Sequence, residues 1–173
     1  QKILETTPGD TEARLGLVRA QRQQTLAQGY AAAEAAIAEE DWDKAAAELE
    51  KILAVDPSYA DAQVKADFVS QRRRLAGLYN DGSRLYDLGQ WEDAITQFER
   101  VSQLDGSYRT EAVAEFLFVS YLNAGQALLA SAGNNAEAVT RAVERFSRAL
   151  AIHPRNRQAT EAHRRASLYQ EAL

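Results

Sequence analysis

The sequence contains no cysteine and no methionine, and among its 173 residues it has only three prolines, nine glycines and two histidines. Without cysteine there is no disulfide, no thiolate metal site and no cysteine nucleophile. The compartment stays open, because cysteine-free helical chains occur on either side of the redox divide; the settings weighed are the cytoplasm and the soluble part of a membrane-anchored protein. So little proline and glycine cannot supply the reversals that strands require every few residues, which makes the fold class all-α. No uninterrupted apolar run approaches the roughly 18 residues of a spanning helix, and the first residues lack a signal-peptide layout, so no membrane span is expected here. Positive charge is the minority sign. Twenty Lys and Arg against 25 Asp and Glu give a net charge of -5 and a pI near 5.1, which disfavours generic attraction to nucleic acid or anionic membrane.

What is present is a repeat. Asp41-Trp42-Asp43-Lys44-Ala45 is echoed by Gln90-Trp91-Glu92-Asp93-Ala94, and Pro8, Pro57, Gly106 and Pro154 stand 49, 49 and 48 residues apart. Lys2-Ile3-Leu4, three residues and a proline match Lys51-Ile52-Leu53, three residues and a proline. Self-similarity at a fixed period is the signature of stacked supersecondary units. The organisation predicted is the end of one unit over 1–7, repeats over 8–56, 57–105 and 106–153, and the first helix of another over 154–173, as a fragment of a longer array.

Each repeat reads as a long helix followed by a short one. Asp10 to Glu40 has no proline, and its apolar residues recur at helical spacing, so it is read as one helix capped by Asp10 or Thr11. Asp41 caps a partner that buries Trp42, Ala45, Leu49 and Ile52 and ends before Pro57. The second pair spans Tyr59 to Leu88 and Gln90 to Leu104, with Gly82 read as a tight contact under the neighbouring helix. The third spans Tyr108 to Ala132 and Ala136 to Ile152, and Asn156 opens the last segment. Phe116 to Leu122 is the most apolar stretch, expected to be enclosed by neighbours.

These motifs resemble the tetratricopeptide repeat: an aromatic, two polar residues, alanine, a large apolar residue four on and another three further. They stand at Trp42, Ala45, Leu49, Ile52 and Pro57, and again at Trp91, Ala94, Phe98, Val101 and Gly106. The third unit keeps Ala142, Phe146, Ala149 and Pro154, and the family's small first-helix residue is matched with Ala33, Gly82 and Ala130. The resemblance implies an α-solenoid of antiparallel helix pairs. The family's period is about 34 residues, and the excess here is placed at the start of the first helices. Those elongated helices are expected to pack mainly on each other.

The resemblance also implies where recognition sits. First-helix faces line the inner surface of such solenoids, so Tyr30 with Glu34 and Tyr79 with Ser83 are candidate partner-binding residues. Trp42 and Trp91 are assigned to packing, as are Tyr59 and Tyr108. Arg72-Arg73-Arg74 is the sharpest charge cluster, and Arg72 and Arg73 complete the candidate set. Three consecutive arginines advance about 100° each and cannot form one phosphate-binding stripe, so pairing with Glu39, Glu40 or Asp43 is the role expected. His153 is expected to meet free carbonyls at a helix C-terminus, and His163 stands alone. No residue pattern marks a catalytic, metal or cofactor site, so an enzyme is not expected. The leading function is a protein-interaction scaffold for a peptide, a partner protein or a second copy. A regulatory or sensing segment of a larger enzyme or signalling protein is the alternative, and RNA binding a weaker one.

Overall fold

The computed structural model describes residues 11–173, all helical apart from turns. Gln1 to Asp10, with the Lys2-Ile3-Leu4 echo, Pro8 and the proposed cap Asp10, lie outside the described residues. The helices are α1 Thr11–Ala38, α2 Trp42–Val55, α3 Ala62–Asp87, α4 Trp91–Leu104, α5 Thr110–Ser131, α6 Ala136–Ile152 and α7 Arg157–Glu171. Helices adjacent in sequence pack on one another. The chain divides into two compact units, Gln1–Arg74 and Leu75–Leu173.

The turns explain why the helices stop where they do, and those after α1 and α3 close with the same backbone hydrogen bonds. After α1, Asp41 N–H donates to the Ala36 carbonyl and Glu40 N–H to Ile37; after α3, Gln90 donates to Leu85 and Gly89 to Tyr86. Both are Schellman closures, with Glu40 at φ 55° and Gly89 at φ 70° in the left-handed region. Asp41 then accepts from Lys44 N–H at 3.1 Å, capping α2. The second helices end alike. Asp56 accepts from the Ser58 amide and hydroxyl at 3.0 and 2.8 Å, and Asp105 accepts from those of Ser107 at 2.9 and 2.6 Å. The Ser58 hydroxyl, and after it the Ser58 amide N–H, hold the Asp56 carboxyl below the ordinary carboxylate range.

In the first unit, Leu26, Ala33 and Ala36 of α1 meet Ala45, Leu49 and Ile52 of α2, and Ala62 and Val69 of α3 join the same core. This corrects the expectation that first-helix extensions pack mainly on one another. The opening stretch of α3 presents small residues to the α1–α2 pair, and the opening stretch of α1 leaves Leu15 and Val18 exposed.

In the second unit the aromatic knobs are Phe98 of α4 and Phe146 of α6, both fully buried. Gly82 faces the Phe98 ring, where a Cβ would come within 3.0 Å. The corresponding slot for Phe146 is Gly125, not Ala130, which is exposed. The third pair thus has five more residues between slot and knob than the second, three of them at the start of α6 before Phe146 and one each in the end of α5 and the Ala132-to-Asn135 connection. α5 carries Phe118, Tyr121 and Leu122 into the core, with Phe116, Leu117 and Val119 half-buried. Its 22 residues are long and apolar enough to cross a membrane, although charged and polar residues interrupt the apolar run. Within this unit its apolar faces go instead to α4, α6 and α7.

Candidate functional site

Tyr30 is half-buried on α1 and T-shaped against Tyr59, with ring centroids 5.7 Å apart. Its hydroxyl donates to Asp61, and the Lys65 ammonium lies 5.5 Å from its ring. Lys65 also reaches Glu34 at 3.2 Å and Asp61 at 3.6 Å. Three of these groups share protons and charge. The bond to Asp61 pushes the Tyr30 phenol up, and the same bond, aided by Lys65, holds Asp61 below the ordinary carboxylate range. Tyr30 and Glu34 are thereby brought together, one helical turn apart, through a lysine from α3. The result is a half-exposed surface with an aromatic face and both signs of charge.

The second candidate pair has different surroundings. Tyr79 sits in an aromatic cluster, edge-on to Phe98, Tyr108 and Phe116 at 5.9, 6.2 and 5.9 Å, with the Arg109 guanidinium 4.9 Å from its ring. Ser83 is half-buried one turn on. Arg72 lies 5.2 Å from the Phe68 ring, and Arg73 pairs with Asp43 at 2.6 Å. Arg73 therefore takes one of the acidic neighbours expected of it, and both arginines are engaged within the chain. Asp61 and Lys65 have Thr110 and Ala114 one period on, so the repeat carries no signal for them, whereas Arg109 is echoed by Arg157 after 48 residues.

Both histidines depart from expectation. His153 Nε2 lies 2.7 Å from Glu115 Oε1, with its ring edge-on to Phe118 at 4.6 Å, instead of meeting helix-end carbonyls. His163 is not alone, since its Nε2 lies 3.0 Å from Ser147 Oγ.

A cleft of about 570 Å³ opens between α1 and the end of α2. Leu26, Gly29, Ala32, Ile52 and Val55 make its apolar wall, and Arg22, Lys51 and Glu48 stand at its rim. Arg22 donates to the Val55 carbonyl at 2.5 Å, and Lys51 pairs with Glu48 at 2.7 Å. The space has an identifiable cause. Forty-nine residues on from Gly29 stands Leu78, which packs against the core of Leu75, Phe98 and Val101 in the second unit. Laying the two repeats over one another reveals the missing side chain, which is the signal in the sequence that points to this cleft.

No family model, curated protein or solved structure matches the chain.

Proposed function

We propose that this chain is an interaction module of the tetratricopeptide kind, with long first helices that offer a recognition surface to a peptide or partner protein. The observation that carries the reading is the repeated joint. A small first-helix residue, Gly82 or Gly125, receives an aromatic from the second helix, Phe98 or Phe146, and each second helix ends in the same pair of backbone bonds, Asp105 to Val101 and Tyr108 to Asp105 in one, His153 to Ala149 and Asn156 to His153 in the other. A helix pair locked by such a joint presents a pre-formed face, which lowers the ordering cost of binding a flexible segment. Tyr30, Glu34 and Lys65 supply the aromatic and charged anchors that such recognition uses. Arg72 and Arg73, tied to Phe68 and Asp43, lend no support to RNA binding.

Peptide-display selection on the whole chain tests the reading. Selected peptides are expected to lose binding when Tyr30→Ala and Lys65→Ala are combined. If no peptide is selected and native mass spectrometry finds only monomer, the reading falls.

A further inference from the structure

Tyr79, Ser83 and Tyr86 run along one face of α3 at i, i+4 and i+7, and their polar groups are unspent. All three side chains are half-buried. The tyrosine rings are held by aromatic neighbours: Phe116 of α5 stands edge-on to Tyr79 at 5.9 Å and to Tyr86 at 4.8 Å, and Trp91 of α4 edge-on to Tyr86 at 5.4 Å. Among the described residues, the two tyrosine hydroxyls, the Ser83 hydroxyl and the Trp91 indole N–H have no hydrogen-bond partner. They are not sealed in either, because Ser120 Oγ is the buried side-chain atom left without a partner there. Four donors therefore meet solvent on a fixed aromatic patch.

The same stripe is closed in the first pair. Forty-nine residues earlier stand Tyr30, Glu34 and Ile37. The Tyr30 hydroxyl donates to Asp61, Glu34 takes Lys65, and Ile37 packs against the core. Counted from its own slot at Gly125, the third pair carries Leu122, Gln126 and Leu129 at these positions.

An indole can only donate, and a hydroxyl donates readily to a carbonyl. Open donors among aromatic rings fit a ligand rich in carbonyl acceptors and poor in N–H groups. An extended proline-rich segment has that chemistry: proline has no N–H, and the polyproline II backbone makes no internal hydrogen bond, so its carbonyls stay available. The pitch fits as well. Tyr79 and Tyr86 are seven residues apart, about 10.5 Å along the helix axis, and three residues of polyproline II advance about 9.3 Å.

We propose that the Tyr79, Ser83 and Tyr86 stripe, with Phe116 and Trp91, binds a proline-rich segment of a partner protein in the polyproline II conformation. Two prolines three residues apart rest on the two tyrosines, and the carbonyls between them accept from the hydroxyls and the indole. This rests on the interaction-module reading and names a partner chemistry for it. The segment is extended before it binds, so little ordering opposes the contact.

The test titrates the isotope-labelled whole chain with acetyl-hexaproline-amide, with a Gly-Ser hexapeptide blocked in the same way, and with maltotriose, following backbone amide and indole N–H signals. Hexaproline is expected to move the amides of Tyr79, Ser83 and Tyr86 and the indole of Trp91, and to leave the indole of Trp42 in place. The Gly-Ser peptide, flexible and carrying its own N–H groups, is expected to bind about tenfold more weakly. Tyr79→Phe combined with Tyr86→Phe keeps both rings, and with Tm unchanged it is expected to weaken hexaproline about tenfold. Ser83→Leu blocks the middle of the stripe and is expected to abolish the shifts, whereas Tyr30→Phe leaves them unchanged. No shifts at millimolar hexaproline, shifts centred elsewhere, equal binding of the two peptides, or undiminished binding by the double phenylalanine variant each overturn the proposal. Shifts at the same residues from maltotriose and not from hexaproline overturn it too, in favour of a sugar. If display selection still yields binders lost on changing Tyr30 and Lys65, the module reading survives while the stripe falls.

Discussion

Gly125 lies under the ring of Phe146 so closely that a Cβ there would meet Cε1 at 2.7 Å, Cδ1 at 2.9 Å and Cζ at 2.9 Å. Phe146 is fully buried and has nowhere to retreat. Gly125→Ala therefore sets overpacking, about 1–3 kcal/mol, against a helix-propensity gain of about 1 kcal/mol. Net destabilisation is expected. Gly82→Ala meets Phe98 at 3.0 Å and above, so the two terms come closer to cancelling. Urea denaturation of both variants checks the order, and Gly82→Ala losing more than Gly125→Ala would contradict the packing described.

The same pair shows what could and could not be read from the sequence. The helices follow from proline, glycine and apolar spacing, and each boundary falls within about three residues of its expected place. The slot of the third pair, Gly125, lies five residues before Ala130, the position a constant 48-residue step from Gly82 gives. Gly125 and Leu128 stand in the same spacing as Gly82 and Leu85, but α6 begins ten residues before Phe146 where α4 begins seven before Phe98, and Ala132 to Asn135 is one residue longer than Leu88 to Gln90. A shortened start to α5 compensates for these added residues, so the overall period hides both. The surroundings of Tyr30 and Tyr79 were illegible for another reason. They are made by side chains from the following first helix or its turn, which periodicity places only to within a turn.

Ser120 offers a second test. It is wholly buried on α5, and among the described residues its Oγ has no hydrogen-bond partner. An unpaired buried hydroxyl carries its desolvation cost, about 1–3 kcal/mol, with nothing to offset it. Ser120→Ala removes that group at almost constant volume and is expected to raise stability by about 1 kcal/mol, seen as a higher Tm. A lower Tm would mean that the hydroxyl has a partner.

The link between Tyr30 and Asp61 makes a prediction about pH. Asp61 titrates below its unfolded-state value, chiefly because Tyr30 donates to it. Its contribution is therefore fully present above about pH 4, the ordinary carboxylate value, and is lost as pH falls through the lower folded value. Tyr30→Phe removes the donor and should move the Asp61 midpoint up, measured by carbon-detected NMR of the side-chain carboxyl. Lys65 remains in place and keeps part of the depression. An unchanged midpoint would show that Tyr30 does not hold Asp61 in solution.

Arg145 and Glu92 form the best-made ion pair among the described residues. Nε and a terminal nitrogen of Arg145 reach the two oxygens of Glu92 at 3.1 and 2.9 Å, in a fork that matches the carboxylate. The guanidinium is only 21% exposed and the carboxylate 40%, so solvent screens this pair less than Arg73–Asp43, where the figures are 62% and 77%. Arg141 adds a weaker approach to Glu92 at 3.9 Å. A double-mutant cycle with Arg145→Ala and Glu92→Ala is expected to give a coupling of about 1 kcal/mol, and Arg73→Ala with Asp43→Ala one near the lower end of about 0–1 kcal/mol. Arg145→Lys should recover only part of the first coupling, because an ammonium cannot make the two parallel bonds. Equal couplings for the two pairs would mean that burial and fork geometry add nothing here. In that event Glu92, which links α4 to α6, would hold the second and third helix pairs in register by packing of its stem alone.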